Sequence, residues 1–243
     1  MKLQGKKAVI TGGTQGLGKA LAERYLAEGA SVAICARSKR ELESLQRKLS
    51  ANDASFVAIP CDISNSVQVQ EFVQKVLHEF THIDILVNNA SRLGARVAIN
   101  DYPLNEWDET IQTNLNGSFF ITRLIIPGMI QQKSGSIINV SSSVGKAARA
   151  RWGAYAVSKF GLEGLTQLLS EELKPYNVTV NAVNPGAMAT AFRRQAYPEE
   201  DQSILRTPDQ VTDIFVYLAS NDGVGISGQS FDASTFISKP KVV

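Results

Sequence analysis

Short apolar runs alternate with longer amphipathic segments along most of the chain. The runs are rich in valine and isoleucine with little polar alternation, which is typical of parallel strands covered on both faces. The predicted strands are Lys7–Thr11, Ser31–Ala36, Ser55–Pro60, Ile83–Asn88, Ser136–Ser141, Val178–Val183 and Gln229–Asp232. The predicted helices are Gly16–Glu28, Ser38–Ser50, Asn65–Phe80, Leu104–Gln131, Trp152–Pro175 and Pro208–Ser220. This alternation predicts an α/β protein with a doubly wound parallel sheet.

The chain contains no obvious linker, internal repeat or low-complexity segment, so we expect one domain over residues 1–243. The carboxyl ends of the strands in such a sheet share one rim, where ligands bind. Two connections that should reach this rim are longer than the others, at residues 89–103 and 186–208. Long loops in this position are usually lids or specificity loops.

Composition and charge narrow the class of function. Hydrophobic residues make up 44% of the chain and charged residues 20%, which is enough to build a core. The net charge of +2 and the lack of a basic run argue against nucleic acid and anionic membranes as partners. No apolar run approaches the roughly 20 residues of a membrane span, and Met1–Lys7 lacks the apolar stretch of a signal peptide. We therefore expect a cytoplasmic protein.

The chain has two cysteines, Cys35 and Cys61, and two histidines, His78 and His82. They do not have the spacing of metal ligands, and we expect no metal. The cysteines lie in or beside predicted strands, which indicates reduced, buried thiols. The histidines lie at the end of a polar helix and in the following loop, so a histidine-based catalytic triad is not expected.

The first predicted strand ends in a glycine-rich loop, and a helix follows. The loop predicts a tight turn at Gly12, close backbone approach to a pyrophosphate at Gly16, and close helix–sheet packing at Gly18. Free N–H groups at the helix start then face the phosphates. This strand–loop–helix context is that of the Rossmann dinucleotide site. The expected cofactor contacts in this segment are Gly12, Thr14, Gln15, Gly16, Leu17 and Gly18.

The end of the second predicted strand helps to choose between NAD and NADP. An NAD enzyme carries an acidic residue there to bind the ribose 2′-hydroxyl, whereas this chain has Arg37 followed by Ser38. The Arg37 guanidinium can bind a 2′-phosphate and stack on adenine. The alternative is a solvated basic helix start. We expect NADP(H), with Asp62 and Ile63 beside the adenine.

Tyr155 and Lys159 carry the sharpest chemical signal. On a helix they stand four residues apart and share a face. A free tyrosine has a pKa of about 10, and a nearby ammonium group favours the phenolate. The pair alone is common on ordinary helices. It gains weight because a run of three serines, Ser141–Ser143, ends the preceding strand in a chain that has a dinucleotide loop.

Taken together, these residues resemble the short-chain dehydrogenase/reductase family, in its compact, single-domain, NADP-preferring branch. The resemblance extends to about Asp232. The residues that carry it are Thr11–Gly18, Asn88-Asn89-Ala90, Asn114, Ser142, Tyr155 with Lys159, and Pro185-Gly186 with Thr190.

The resemblance implies a catalytic role for four residues. Tyr155 would be the general acid in reduction and the base in oxidation. Lys159 would bind the nicotinamide ribose and lower the tyrosine pKa. Ser142 would donate a hydrogen bond to the substrate oxygen. Asn114 would hold a water molecule in a proton relay to Lys159.

The resemblance also implies further cofactor contacts and an oligomer. Asn89 and Ala90 would lie near the cofactor ribose. The segment containing Pro185, Gly186, Met188 and Thr190 would hold the nicotinamide amide and the diphosphate. Hydride would pass between nicotinamide and a ketone or secondary alcohol, with no metal. The helices predicted at Leu104–Gln131 and Trp152–Pro175 would pair subunits into a homodimer or homotetramer.

Several positions depart from the family pattern. Ser91 stands where the family usually has glycine, Gln15 where NADP-preferring members often have a basic residue, and Asp232-Ala233-Ser234 replaces Asp-Gly-Gly. Six arginines lie in segments expected to reach the rim. They indicate either an anionic substrate or a solvated loop face. These arginines are Arg92, Arg96, Arg149, Arg151, Arg193 and Arg194.

Other function classes remain open at this point. The fold can serve a catalytically silent NADP-binding regulator or scaffold, although such a protein does not need all four catalytic residues. The same chemistry can run as an NAD-linked alcohol dehydrogenase. An epimerase or dehydratase of this fold usually has an added substrate domain, for which the 243 residues leave no room.

Overall fold

The structure, a computed structural model, describes residues 1–49 and 55–236. Seven parallel strands form one sheet in the order β3-β2-β1-β4-β5-β6-β7. The strands are β1 (Lys7–Thr11), β2 (Ser31–Ala36), β3 (Phe56–Pro60), β4 (Ile85–Asn88), β5 (Gly135–Val140), β6 (Val178–Asn184) and β7 (Ser230–Asp232). The predicted doubly wound parallel sheet is confirmed, including the short last strand, which pairs with β6.

Helices cover both faces of this sheet. They are α1 (Gly16–Ala27), α2 (Lys39–Leu49), α3 (Ser66–Phe80), α4 (Leu104–Ile111), α5 (Gly117–Gln132), α6 (Gly153–Leu173), α7 (Ala191–Ala196) and α8 (Asp213–Ala219). The predicted end of the second helix, Ser50, lies outside the described residues. Within the described part of the chain, no helix combines the length and apolarity needed to cross a membrane.

Successive residues of a strand point alternately into two separate apolar clusters, one on each face of the sheet. In β1, Ala8 and Ile10 pack on one face with residues of α1, α2 and α8, while Val9 packs on the other with α3, α5 and α6. On the first face, the Tyr25 hydroxyl donates to the Phe215 carbonyl at 3.0 Å and so joins α1 to α8. Both faces of the sheet are buried, which explains why the strands show little polar alternation.

The direction of winding reverses at β1. Its neighbours in the sheet are β2 on one side and β4 on the other, so the connections leaving β1 and β4 run to opposite faces. Such a reversal leaves a crevice outside the carboxyl ends of the two strands, where ligands bind. The ligand site is therefore expected beside the ends of β1 and β4, at Thr11 and Asn88.

The predicted helix Leu104–Gln131 is not continuous. A single π-helical turn over Gln112–Asn116 separates α4 from α5, and Asn114 lies within it. Each π turn inserts a residue into the regular helical register, and such turns occur frequently at functional sites. Apolar periodicity did not reveal the break because both helices keep apolar faces on either side of it.

Two other segments differ from the prediction. The connection expected at 186–208 contains α7, which begins where the Thr190 side chain accepts a hydrogen bond from the Arg193 amide at 3.1 Å. A helix this short is below the length at which periodicity can be recognised. The last predicted helix starts as a 3₁₀ turn at Pro208–Val211, and α8 itself begins at Asp213.

Candidate active site

A cavity of about 490 Å³ lies at the carboxyl ends of the central strands. This volume is in the range of cofactor and small-ligand sites. Every residue predicted to belong to the site lines it except Gly18 and Asn114. The predicted residues that line it are Gly12, Thr14, Gln15, Gly16, Leu17, Arg37, Ser38, Asp62, Ile63, Asn89, Ala90, Ser142, Tyr155, Lys159, Pro185, Gly186, Met188 and Thr190.

The glycine loop lies against the end of β4 with no room for side chains. Gly12 has a φ of +66°, and a Cβ there would lie 2.9 Å from the Ala90 Cα. A Cβ on Gly18 would lie 2.2 Å from the Gly12 carbonyl oxygen. Gly18 therefore lies behind the cavity wall and acts through packing. The bare backbone in front of it is the kind of cradle that a pyrophosphate requires.

Two polar side chains fix this close approach. The buried Thr11 hydroxyl accepts the amide protons of Asn89 at 2.9 Å and Ala90 at 3.0 Å. The Asn89 side-chain amide donates to the carbonyl oxygens of Thr11 at 2.8 Å and Gly12 at 3.1 Å. The family resemblance implied a cofactor contact at Asn89, but the sequence did not reveal that Thr11 and Asn89 join the two loops.

The opposite end of the cavity is polar and open. Arg37 is exposed there and has no ion pair or hydrogen bond to any residue of 1–49 or 55–236. Glu41 lines the same end, and its carboxylate accepts a hydrogen bond from the Thr14 hydroxyl at 2.9 Å. Asp62 Oδ1 accepts from the Ser64 amide at 3.0 Å. The Arg37 guanidinium is therefore available to a phosphate group.

Both cysteines line the cavity. Cys35 and Cys61 are free thiols with 0% and 3% of their surface exposed. Their predicted burial is confirmed. The sequence did not indicate that they face the cavity, because strand residues near the rim can point either to the core or to the crevice.

Tyr155 and Lys159 are both buried on the same face of α6. Lys159 Nζ lies 5.5 Å from the centre of the Tyr155 ring and donates to the Val140 carbonyl at 2.7 Å. Burial lowers the pKa of Lys159 to about 8, and the nearby Glu163 carboxylate opposes that change.

The pKa of Tyr155 differs from the sequence expectation. Burial raises it to about 12, and the hydroxyls of Ser142 and Ser91 act in the opposite direction. Lys159 was expected to lower this pKa. In the structure its ammonium group is held on the Val140 carbonyl, and the neighbouring hydroxyls are the groups that favour the phenolate.

The three serines after β5 have different surroundings. The Ser141 hydroxyl donates to the buried Glu163 carboxylate, which also accepts from Ser230 at 2.9 Å. Ser143 is exposed. Ser142 lines the cavity, and its hydroxyl acts to lower the pKa of Tyr155. Of the three, Ser142 is therefore the one positioned to share a substrate oxygen with Tyr155.

Ser91, which replaces the usual glycine of the family, lies beside the same phenol. Its Oγ is buried without a partner at hydrogen-bonding distance among the described residues, and it lines the cavity. The site thus presents a second hydroxyl next to Tyr155, in addition to Ser142.

Asn114 lies behind the cavity and holds backbone segments together. Its side-chain oxygen accepts the Arg92 amide proton at 2.7 Å, and its nitrogen donates to the Arg92 carbonyl at 2.9 Å and to Ser158 Oγ at 3.0 Å. Both amide protons of Asn114 are thereby used. Its hydrogen-bond partners within the described residues do not include Lys159, so its observed role is to position the loop after β4 against α6.

Aromatic rings surround Tyr155 on the substrate side. The rings of Trp152 and Phe192 each have their centres 5.5 Å from the centre of the Tyr155 ring, and both residues line the cavity. Sequence reasoning missed these two residues as part of the site. Trp152 looked like a helix start and Phe192 like a loop residue, and no motif marks either.

Three of the six arginines expected at the rim are engaged with carboxylates or aromatic rings. Arg92 pairs with Glu106 and Glu109, and Arg193 pairs with Glu200. Arg96 stacks on aromatic rings. The remaining three, Arg149, Arg151 and Arg194, are exposed and do not line the cavity.

The comparisons with known proteins agree with this geometry. The family model described as short chain dehydrogenase matches residues 6–201. The 3-oxoacyl-[acyl-carrier-protein] reductase FabG of Thermotoga maritima is 34% identical over 239 residues, covering 94% of this chain and 96% of that protein. The oxidoreductase YciK of Escherichia coli K12 is 30% identical, covering 93% and 90%.

Solved structures show the same similarity. A short chain dehydrogenase from Pseudomonas syringae is 36% identical with a TM-score of 0.91, covering 96% of both chains. One from Shigella flexneri 2a, complexed with NADP, is 30% identical with a TM-score of 0.89, covering 96% of this chain and 99% of that one. The chain therefore belongs to the short-chain dehydrogenase family, and it is an oxidoreductase acting on CH–OH or C=O groups.

The depressed pKa of Lys159 makes stability depend on pH. The lysine has a pKa of 10.5 when free and about 8 when folded, so the folded state disfavours its proton. Below pH 8 the lysine is protonated in both the folded and the unfolded state, and the full free-energy cost of burying its charge is present. Between these two values the native state loses its proton first, and stability rises by up to roughly 3 kcal/mol.

The measurement is the free energy of unfolding in denaturant at several pH values across that range, for the native chain and for Lys159→Met. We expect the difference between the two proteins to grow in favour of the native chain as the pH rises. Lys39→Met, at a lysine with 78% of its side chain exposed, is the control and should leave the pH dependence unchanged. If the difference in unfolding free energy between the native chain and Lys159→Met does not change with pH, the burial of a charged Lys159 is contradicted.

Proposed function

We propose that the protein is an NADP(H)-dependent reductase of ketones, able to run in reverse on secondary alcohols, with Tyr155 as general acid and base. The observation that carries this proposal is one cavity that joins a glycine cradle and a free Arg37 to the buried Tyr155 and Lys159 and to the half-buried Ser142. The NADP complex of the Shigella relative and the reductase activity named for the Thermotoga relative support the cofactor and the direction.

The residues present fit such a cofactor. The loop at Gly12 leaves a cradle that a Cβ would fill, and Arg37 matches a 2′-phosphate. The segment from Pro185 to Thr190 lies opposite, where it can hold the nicotinamide amide and the diphosphate. When bound, the nicotinamide supplies or accepts the hydride.

The protein's own residues handle the proton and the substrate oxygen. Ser142 donates a hydrogen bond to the carbonyl oxygen as negative charge develops there. Tyr155 then transfers its phenolic proton to that oxygen. Its raised pKa keeps the phenol protonated until negative charge develops on the substrate oxygen and makes that oxygen the stronger base. Lys159 places an ammonium group beside the ring and orients the cofactor ribose. Trp152 and Phe192 exclude water from the reacting atoms.

The catalytic interpretation is favoured over a silent cofactor-binding scaffold because of burial. Tyr155 and Lys159 have 6% and 2% of their surface exposed, and burial shifts the pKa of each against its charged form. Keeping two such groups in an apolar site costs stability, and a protein that only binds the cofactor does not need them.

We further propose a homo-oligomer built through α5 and α6. Phe119 on α5 and Val157, Phe160 and Leu168 on α6 are between 43% and 54% exposed, and clustered exposed apolar side chains mark protein interfaces. Pairing of these helices would give a dimer, and a second contact would give a tetramer. Sedimentation of the chain at the mass of a monomer would contradict this.

The whole chain, residues 1–243, is proposed to act as one catalytic domain with substrate loops near 89–103 and 186–208. Limited proteolysis that released two stable fragments would argue against this. We place the enzyme in the cytoplasm because both of its cysteines are free thiols, as expected in a reducing compartment. Recovery of the protein from a periplasmic or secreted fraction would contradict that location.

Tyr155→Phe tests the proposed chemistry. The variant removes the proton donor but keeps the ring, so NADPH binding should persist while turnover of the best ketone falls about a thousandfold. The measurements are NADPH binding by titration and kcat from the loss of NADPH absorbance. Tyr176→Phe, at a half-exposed tyrosine that does not line the cavity, should behave like the native chain. Undiminished turnover in Tyr155→Phe would rule out the proposed proton donor.

Arg37→Ala tests the choice of cofactor. Loss of a charge-assisted bond to the 2′-phosphate should weaken NADPH binding by roughly tenfold to a hundredfold and leave NADH binding nearly unchanged. Lys39→Ala is the matched control, since Lys39 is basic and exposed close by but does not line the cavity. Equal losses for both cofactors, or a native preference for NADH, would support the NAD-linked alternative.

A further inference from the structure

The cavity around the Tyr155 hydroxyl has an aromatic wall. The rings of Trp152 and Phe192 both contact the Tyr155 ring, and Val144 and Ala196 complete the same apolar cluster. Ring surfaces of this kind stabilise a flat apolar group through burial and through offset or edge-to-face contacts.

Two of the three arginines that line the cavity, Arg92 and Arg193, are already paired with carboxylates, and the third, Arg37, lies at the end proposed for the cofactor. Arg193 donates from Nε and Nη2 to the two carboxylate oxygens of Glu200, both at 2.6 Å. Arg92 reaches Glu106 and Glu109, each at 2.8 Å, so one guanidinium faces two carboxylates. The Arg92 cluster therefore carries a net negative charge.

Arg96 does not line the cavity and lies behind the aromatic wall. Its guanidinium carbon is 4.3 Å from the centre of the Trp152 ring and 4.9 Å from the centre of the Tyr197 ring, and Nη1 donates to the Ala196 carbonyl. The Arg193 guanidinium also stacks on the Tyr197 ring, with its carbon 3.9 Å from the ring centre. These cations hold the segment around α7 against the start of α6.

From this arrangement we propose a substrate class: neutral ketones that carry an aromatic or similarly flat apolar group beside the carbonyl, with anionic keto acids as poor substrates. The inference rests on the proposed function, since it concerns the substituents of the carbonyl that Tyr155 protonates. A carboxylate entering this pocket would exchange its hydration for rings and for guanidinium groups that are already paired, which is unfavourable. The same rings would stabilise an apolar substituent.

Four probes separate the effect of the ring from the effect of the charge. Ethyl benzoylformate and benzoylformate share the ring and the ketone and differ in charge, while ethyl pyruvate and pyruvate repeat the comparison without the ring. With NADPH, we expect kcat/KM to be about tenfold higher with the ring than without it. For the same ring, the ester should exceed the acid by at least about tenfold.

Variants connect each preference to its cause. Phe192→Ala should reduce the preference for the ring, while Val67→Ala, an exposed truncation on α3, should not. Glu200→Gln frees Arg193 and should raise kcat/KM for benzoylformate relative to its ester by about threefold to tenfold. Glu199→Gln removes the same charge at the exposed neighbouring residue and should leave that ratio unchanged.

The outcomes separate this inference from the proposed function. Faster turnover of the acid than of the ester, or of ethyl pyruvate than of ethyl benzoylformate, would overturn the substrate class while leaving the reductase intact. An unchanged acid-to-ester ratio in Glu200→Gln would show that the Arg193–Glu200 pair does not exclude anions. If none of the four probes oxidises NADPH, the proposed function fails, and the substrate class with it.

Discussion

The hydrogen bonds between the ends of β1 and β4 fix the geometry of the whole rim. One threonine hydroxyl accepts two successive amide protons at the end of β4, and one asparagine side chain returns two bonds to the glycine loop. The contact requires a glycine at position 12, because any Cβ there would collide with Ala90. The cofactor loop and the segment that begins at Ser91 therefore share one anchor at the point where the sheet reverses its winding.

A second set of uncharged hydrogen bonds extends this anchor to the catalytic helix. The Asn114 side chain forms hydrogen bonds with the backbone amide and carbonyl of Arg92 and donates to Ser158 Oγ. The Ser158 hydroxyl in turn donates to the Tyr155 carbonyl at 2.7 Å. The π turn at Asn114 places this side chain between the loop after β4 and α6. Tyr155 is thus held by neutral groups, and the ionisable groups nearby remain available for chemistry.

Local and periodic features were predictable from the sequence, and long-range pairings were not. The predicted strand bounds differ from the structure by at most two residues, because buried parallel strands leave a clear apolar signature. The proposed cofactor contacts lie in short motifs whose geometry is set by neighbouring residues. Two features depend on loop conformations that leave no periodic pattern of apolar residues in the sequence. They are the pairing of Arg193 with Glu200 and the stacking of Arg96 on Trp152 and Tyr197. The sequence therefore left the rim arginines open between an anion site and a solvated face, and the structure shows three of them serving as packing and pairing groups.

Hydride transfer at this cavity is the central claim, and an isotope label tests it most directly. The native chain would be mixed with ethyl benzoylformate and NADPH deuterated at both C4 positions, and the alcohol product examined by mass spectrometry. The proposed reaction predicts a single deuterium on the carbinol carbon of the product. An alcohol product without deuterium, or NADPH bound tightly with no alcohol formed from any ketone, would contradict it.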